Sequence, residues 1–177
     1  MCSLFRNKYR HESFRLNSHD YSSGGTYFIT ICTYMGLSYF GNISKGKMIL
    51  SESGQIAYNL WHELPEHFSF VSLDEFVIMP NHVHGIVIIQ SPTAVGTLHA
   101  TSRRSIQNEF MSHISPKPGS LATVIRSYKS AVSKNIHLSD PDFSWQPRYY
   151  DHLIHSAREL DRIRDYIINN PVKWDDH

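Results

Sequence analysis

Hydrophobic positions along the chain follow two periods. From Phe76 to Gln90 (FVIMPNHVHGIVIIQ) two apolar runs are split by Pro80-Asn81. That is turn chemistry, so a β-hairpin is predicted. In its second strand alternation places His82, His84, Ile86 and Ile88 on one face, and Val83, Gly85, Val87 and Ile89 on the other. Thr26–Thr33 (TYFITICT) is apolar on both faces, as in an interior strand. Leu37–Ile43 and Lys47–Leu50 read as a short hairpin around Ser44-Lys45-Gly46. The period becomes helical over Ser53–Leu64, where Ile56, Leu60 and Leu64 recur every four residues and Pro65 closes the run. Ser120 is placed to cap a second helix with Leu121, Val124, Ile125, Tyr128 and Val132 on one stripe. Phe143–Ile154 is aromatic and extended. Ser156 and Glu159 then form a capping box for a last helix, striped by Leu160, Ile163 and Ile167 and stopped by Asn170-Pro171.

This order predicts an α+β domain spanning residues 1–177: a ferredoxin-like antiparallel sheet with helices packed on one face. Two stretches carry no such period. Residues 1–20 are a basic arm with Arg6, Lys8, Arg10 and Arg15. Residues 91–119, rich in Pro, Ser, Thr and Gly, read as a flexible loop holding Arg103 and Arg104.

Composition adds limits. With 41% hydrophobic and 19% charged residues, the 177-residue chain suits one soluble domain with a core. No apolar run reaches the roughly 18 residues of a membrane span, and the first residues lack the apolar centre of a secretory signal. A cytoplasmic protein, nucleoid-associated if it binds DNA, is the expectation. The two cysteines form no disulfide framework. A net charge of +1 means that any nucleic-acid footprint must be local.

His82 and His84 leave one strand face a single repeat apart, and imidazole is the commonest side-chain metal ligand. A polar pair entering a buried-looking strand needs partners, which a cation supplies. Two imidazoles alone suit zinc as well as magnesium or manganese. By pattern alone Tyr128 is a core tyrosine. Gln146, Arg148, Asp151 and His152 interrupt a run that otherwise looks buried. A small metallohydrolase using the His pair and Asp151 is one reading of these residues.

The sequence MPNHVHGIV also resembles the histidine strand of the HUH single-tyrosine transposases, the group of small insertion-sequence transposases and REP-associated tyrosine transposases. DYSSGGTYFITICT (Asp20–Thr33), GSLATVIRSYKSAV (Gly119–Val132) and WQPRYYDHLIHSARELDRIRDYIINNP (Trp145–Pro171) resemble blocks of the same family, in family order. The resemblance implies a ferredoxin-like fold, Mg²⁺ or Mn²⁺ held by His82 and His84, and Tyr128 as nucleophile. It implies single-stranded, hairpin-forming DNA as partner, cleaved and rejoined through a covalent 5′-phosphotyrosine. Arg126, Lys129, Arg103, Arg104 and Arg148 are the candidate DNA contacts. The insertion-sequence branch takes a third ligand from a polar side chain one helical turn after its tyrosine. Val132 stands there and cannot ligate, which leaves Asp151 and His152 as substitutes. Val132 also leaves open a domesticated DNA-binding module with weak or no cleavage. A homodimer is left open.

Overall fold

The computed structural model describes residues 24–90 and 119–174. The basic arm, residues 91–118 with Arg103 and Arg104, and the last three residues lie outside the described residues. Strand β1 is Gly25–Cys32, followed by a 3-10 turn at Tyr34–Gly36. A small hairpin pairs β2 (Gly41–Ser44) with β3 (Lys47–Leu50). Helix α1 (Glu52–His62) starts at Ser51, whose hydroxyl accepts from the Gly54 amide. The short α2 (Leu64–His67) carries Pro65 in its first turn, where a missing N–H costs nothing. Then come β4 (Val71–Met79), β5 (His82–Ile89) and α3 (Leu121–Ile136). The chain closes with β6 (Tyr150–Leu153), α4 (Ala157–Ile168) and the single turn α5 (Asn170–Lys173).

The main sheet has the order β4-β5-β1-β6, and every pairing in it is antiparallel. The α+β fold and its antiparallel sheet are as expected. β1 lies between β5 and β6, which explains its apolar residues on both faces. Two boundaries differ from the pattern. β4 begins at Val71 rather than Phe76, because a register shift between Leu73 and Phe76 breaks the alternation that marks a strand. Of the extended-looking Phe143–Ile154 run, Tyr150–Leu153 forms a strand, and Trp145 makes an isolated bridge to Thr33. Pro147 offers no amide to a ladder and Arg148 is left-handed (φ 66°), so a regular strand cannot pass through them.

Register assigns the faces. Tyr27, Ile29 and Ile31 pair with Val87, Gly85 and Val83, and this face joins the main core beneath α1 and α3. Trp61 of α1 presses on Gly85 so closely that a Cβ there would lie 2.4 Å from its ring. Phe28, Thr30 and Cys32 pair with Ile86, His84 and His82 and share the opposite face. Helices on one face therefore describe α1 and α3, while α4 lies across the other. Arg164 anchors α4 to the sheet. Its Nε and Nη2 donate to both carboxylate oxygens of Asp74 on β4, at 2.9 and 2.6 Å.

Candidate active site

The tight turn between β4 and β5 delivers the His pair. The Asn81 carbonyl accepts from the Thr33 amide at 2.9 Å, and its side-chain Nδ2 donates to the Gly36 carbonyl at 3.0 Å. That second bond orients the amide, so Oδ1 faces His82 Nδ1 at 2.7 Å and must accept its hydrogen. His84 Nδ1 lies 2.8 Å from the Thr30 hydroxyl, and the ring also hydrogen-bonds the Ile29 backbone. The two rings are 4.4 Å apart. Burial holds both in the neutral form: it pushes His82 down to about 4 and His84 well below the ordinary imidazole value, with the neighbouring His82 adding to the second shift. With hydrogen on Nδ1, the neutral His82 ring keeps its lone pair on Nε2.

Across this face run α4 and α5. The Tyr166 hydroxyl lies 3.2 Å from His84 Nε2, and the two ring centroids are 5.3 Å apart. Trp174 stands 5.7 Å from the His82 ring. Asn170, one helical turn after Tyr166 and one before Trp174, is a buried polar side chain. Tyr166, Asn170, Asn81 and Thr30 were not among the residues singled out from sequence. Tyr166-x-x-x-Asn170 was nonetheless readable as a helical tyrosine followed one turn later by a polar residue.

Tyr128 is elsewhere. It is 1% exposed, its ring meets Trp61 edge-on at 5.1 Å, and its hydroxyl donates to the Ala57 carbonyl at 3.0 Å. Burial raises its pKa far above the ordinary phenol value. It belongs to the core beneath α1 and α3, on the face opposite the His pair. The expectation that its helix turns the tyrosine towards His82 and His84 is corrected, because the apolar stripe of α3 carries it into the core. Val132 is buried in the same core, so its inability to ligate says nothing about the His site. Asp151 pairs with Ile29 and faces the core side, so alternation removes it from the His face. His152 pairs with Phe28 and shares the His face, but β1 separates its strand from β5, and its Nε2 sits 2.8 Å from Glu159 Oε1. The structure does not bring Asp151 and His152 to the pair as substitute ligands.

The expected DNA contacts also separate. Lys129 Nζ donates to the carbonyls of Gln146 and Arg148 at 2.8 and 3.0 Å, so its ammonium is engaged within the protein. Arg126 is exposed on the outer side of α3, in an open groove of about 440 Å³ with Lys134, Thr123, Ser127 and Ser130. Arg148 is exposed just before β6.

Among the described residues no three His, Cys, Asp or Glu side chains are grouped to hold a metal ion. The fit of a divalent cation therefore rests on the His pair. Two neutral imidazoles whose Nδ1 atoms have hydrogen-bond partners have the form of metal-ligating histidines.

No family model matches the chain. An uncharacterized protein of Haemophilus influenzae is 33% identical over 170 residues, covering 92% of this chain and 89% of that protein. A second H. influenzae protein, named "Putative REP-associated tyrosine transposase", is 25% identical over 154 residues, covering 87% of this chain and 74% of its own length. The solved structure of a REP-associated tyrosine transposase bound to a REP hairpin superposes with a TM-score of 0.60 at 18% identity, covering 92% of this chain and 74% of that one. In sequence and in fold the chain is similar to the REP-associated tyrosine transposases. Tyr166 is the tyrosine whose hydroxyl is hydrogen-bonded to one histidine of the pair.

Proposed function

We propose that this transposase-family chain cleaves and rejoins single-stranded, hairpin-forming DNA, with Tyr166 as nucleophile and with His82, His84 and Asn170 as the ligands of Mg²⁺ or Mn²⁺. The observation that carries this reading is the 3.2 Å contact between the Tyr166 hydroxyl and His84 Nε2. The likeness to a hairpin-bound relative supports DNA as the partner.

The chain's own groups divide the work. Arg164, anchored to Asp74, holds α4 so that Tyr166 stays against β5. Asn81 and Thr30 fix the imidazoles, and Phe28 and Trp174 shield them from water on two sides. A divalent cation, when bound, supplies Lewis-acid neutralisation of the non-bridging phosphate oxygens. The Tyr166 oxygen attacks phosphorus and its proton leaves to solvent. The bond from phosphorus to the 3′ oxygen breaks, and that oxygen takes up a proton to become a free 3′-OH. The phosphate stays on Tyr166 as a 5′ ester, so a 3′-OH of another strand can reverse the step without an external energy source.

The binding-only reading drew its force from Val132, which lies outside this site. The metallohydrolase reading used Asp151, which faces away. To test the proposal, the full chain is incubated with labelled single-stranded hairpin DNA and Mn²⁺, and a denaturing gel is read for labelled protein. A covalent adduct that disappears with chelator is expected. No adduct with any hairpin, at protein concentrations that bind it, contradicts the proposal.

A further inference from the structure

Beyond Tyr166, the His face continues across β1 to the edge strand β6 as a row of aromatic rings. Phe28 is stacked on His84 at 5.3 Å, meets Tyr166 edge-on at 6.1 Å and Tyr150 edge-on at 6.4 Å. Tyr150 pairs with Thr30, the residue whose hydroxyl contacts His84. It is 43% exposed, and Tyr166 is 39% exposed. Its neighbour Tyr149 packs on the core side instead. The row thus opens to solvent at the sheet edge beside the proposed nucleophile.

The loop that leads into Tyr150 is held tightly. Lys129 clamps two of its carbonyls, sits 5.9 Å over the Trp145 ring, and accepts from Trp145 Nε1 at its own carbonyl, 3.1 Å away. Burial lowers the Lys129 pKa. The clamp ends on the carbonyl of Arg148, whose left-handed backbone is a conformation that non-glycine residues rarely adopt. Such a conformation persists where surrounding contacts impose it.

We infer that Tyr150, backed by Phe28, is a stacking seat for an unpaired nucleobase next to the phosphate attacked by Tyr166, and that Lys129 is the positioning residue that sets it. This rests on the proposed function. Every base has a π face, so an exposed tyrosine beside the scissile phosphate orders a flexible single strand without reading its sequence. Arg148, two residues before Tyr150 and exposed, adds positive charge next to the seat for the adjoining backbone. Duplex DNA, whose bases are stacked on each other, does not fill such a seat.

The test uses the full chain and a hairpin oligonucleotide with a single-stranded flank, in which each flank nucleotide in turn is made abasic. Affinity is read by anisotropy, and adduct yield at saturating DNA by gel. Wild type should lose about 10-fold in affinity at one abasic position, adjacent to the cleaved bond. Tyr150→Leu should lose about 10-fold on intact DNA and show no further loss at that position. Tyr150→Trp should restore both affinity and discrimination. Lys129→Met should weaken discrimination at that same position without changing it elsewhere, which a merely structural loss would not do. Wild-type affinity and discrimination in Tyr150→Leu overturn the inference, whatever the adduct assay shows. If Tyr150→Leu instead changes only the mass in solution, the face belongs to a second copy and the inference is overturned. A wild type that discriminates as expected but forms no adduct overturns the chemistry and keeps the seat. A wild type that binds no DNA overturns both.

Discussion

The Tyr166 hydroxyl meets His84 Nε2 at 3.2 Å, while Tyr128 donates to the Ala57 carbonyl on the far side of the same sheet. One sheet separates two tyrosines that sequence spacing alone cannot rank. The predictions below follow from which of them shares a face with the His pair.

Gly85, between the histidines and the apolar end of β5, is required by Trp61 rather than by the site. A Cβ there would sit 2.4 Å from one ring atom and 3.0 Å from the next, and Trp61 is fully buried. Gly85→Ala should cost about 1–3 kcal/mol through overpacking. Urea unfolding followed by tryptophan fluorescence measures it, and an unchanged midpoint contradicts the packing described.

Asp74 and Arg164 form a bidentate pair whose partners are 15% and 38% exposed. Solvent screening at the arginine keeps its contribution to stability small. Its effect on position is larger, because Arg164 lies two residues before Tyr166. Asp74→Asn should therefore lower the rate of adduct formation by about 10-fold or more while the melting temperature moves little. Parallel losses in both, or none in either, would separate the anchor from the site.

Asn170 and Val132 make a paired test of the third ligand. Asn170→Val should reduce Mn²⁺ affinity on the order of 10-fold, read by calorimetry. Val132→Asn should not raise it. Instead it should destabilise the fold by about 1–3 kcal/mol, since the amide enters an apolar core without a partner. Tighter Mn²⁺ binding by Val132→Asn would return the site to α3.

The metal-free protein should lose stability in mild acid. The folded pKa of His82 is lowered to about 4 from 6.5, and that of His84 is also lowered, both first by burial. Below pH 6.5 the unfolded chain takes up protons that the folded chain refuses. The stabilisation is therefore complete above 6.5 and is lost as pH falls towards 4. For His82 this is about 3 kcal/mol at most. Urea midpoints between pH 7.5 and 4.5 should fall in wild type and fall less in His82→Asn. A flat wild-type profile contradicts buried neutral imidazoles.

Much of the fold was legible. The period-2 face of β5 predicted that His82 and His84 emerge together, and the Ser156 cap is formed, its hydroxyl accepting from the Glu159 amide, while the Glu159 carboxylate reaches back to the His155 amide rather than to that of Ser156. The double-sided β1 pattern correctly read as an interior strand. Which tyrosine shares the His face was not legible, for a physical reason. The α3 stripe of Leu121, Val124, Ile125, Tyr128 and Val132 says that Tyr128 is buried, but not beneath which face of the sheet. That depends on the crossover between β5 and α3, through residues with no period. In α4, Tyr166 lies outside the stripe of Leu160, Ile163 and Ile167, so the helical period alone does not direct it to the His face. The Asp74–Arg164 pair that lays it there joins residues far apart in sequence, and no local pattern announces it.

The central claim is that the tyrosine on the His face carries the DNA. The direct measurement is covalent adduct formation by Tyr166→Phe and Tyr128→Phe, run beside thermal melting and DNA affinity. Both substitutions keep a ring of the same shape, so packing changes little. Tyr166→Phe is predicted to bind hairpin DNA and form no adduct. Tyr128→Phe is predicted to form the adduct at close to the wild-type rate and to lose about 1 kcal/mol of stability with its hydrogen bond to Ala57. An adduct that persists in Tyr166→Phe, or disappears in a folded Tyr128→Phe protein, would contradict the account.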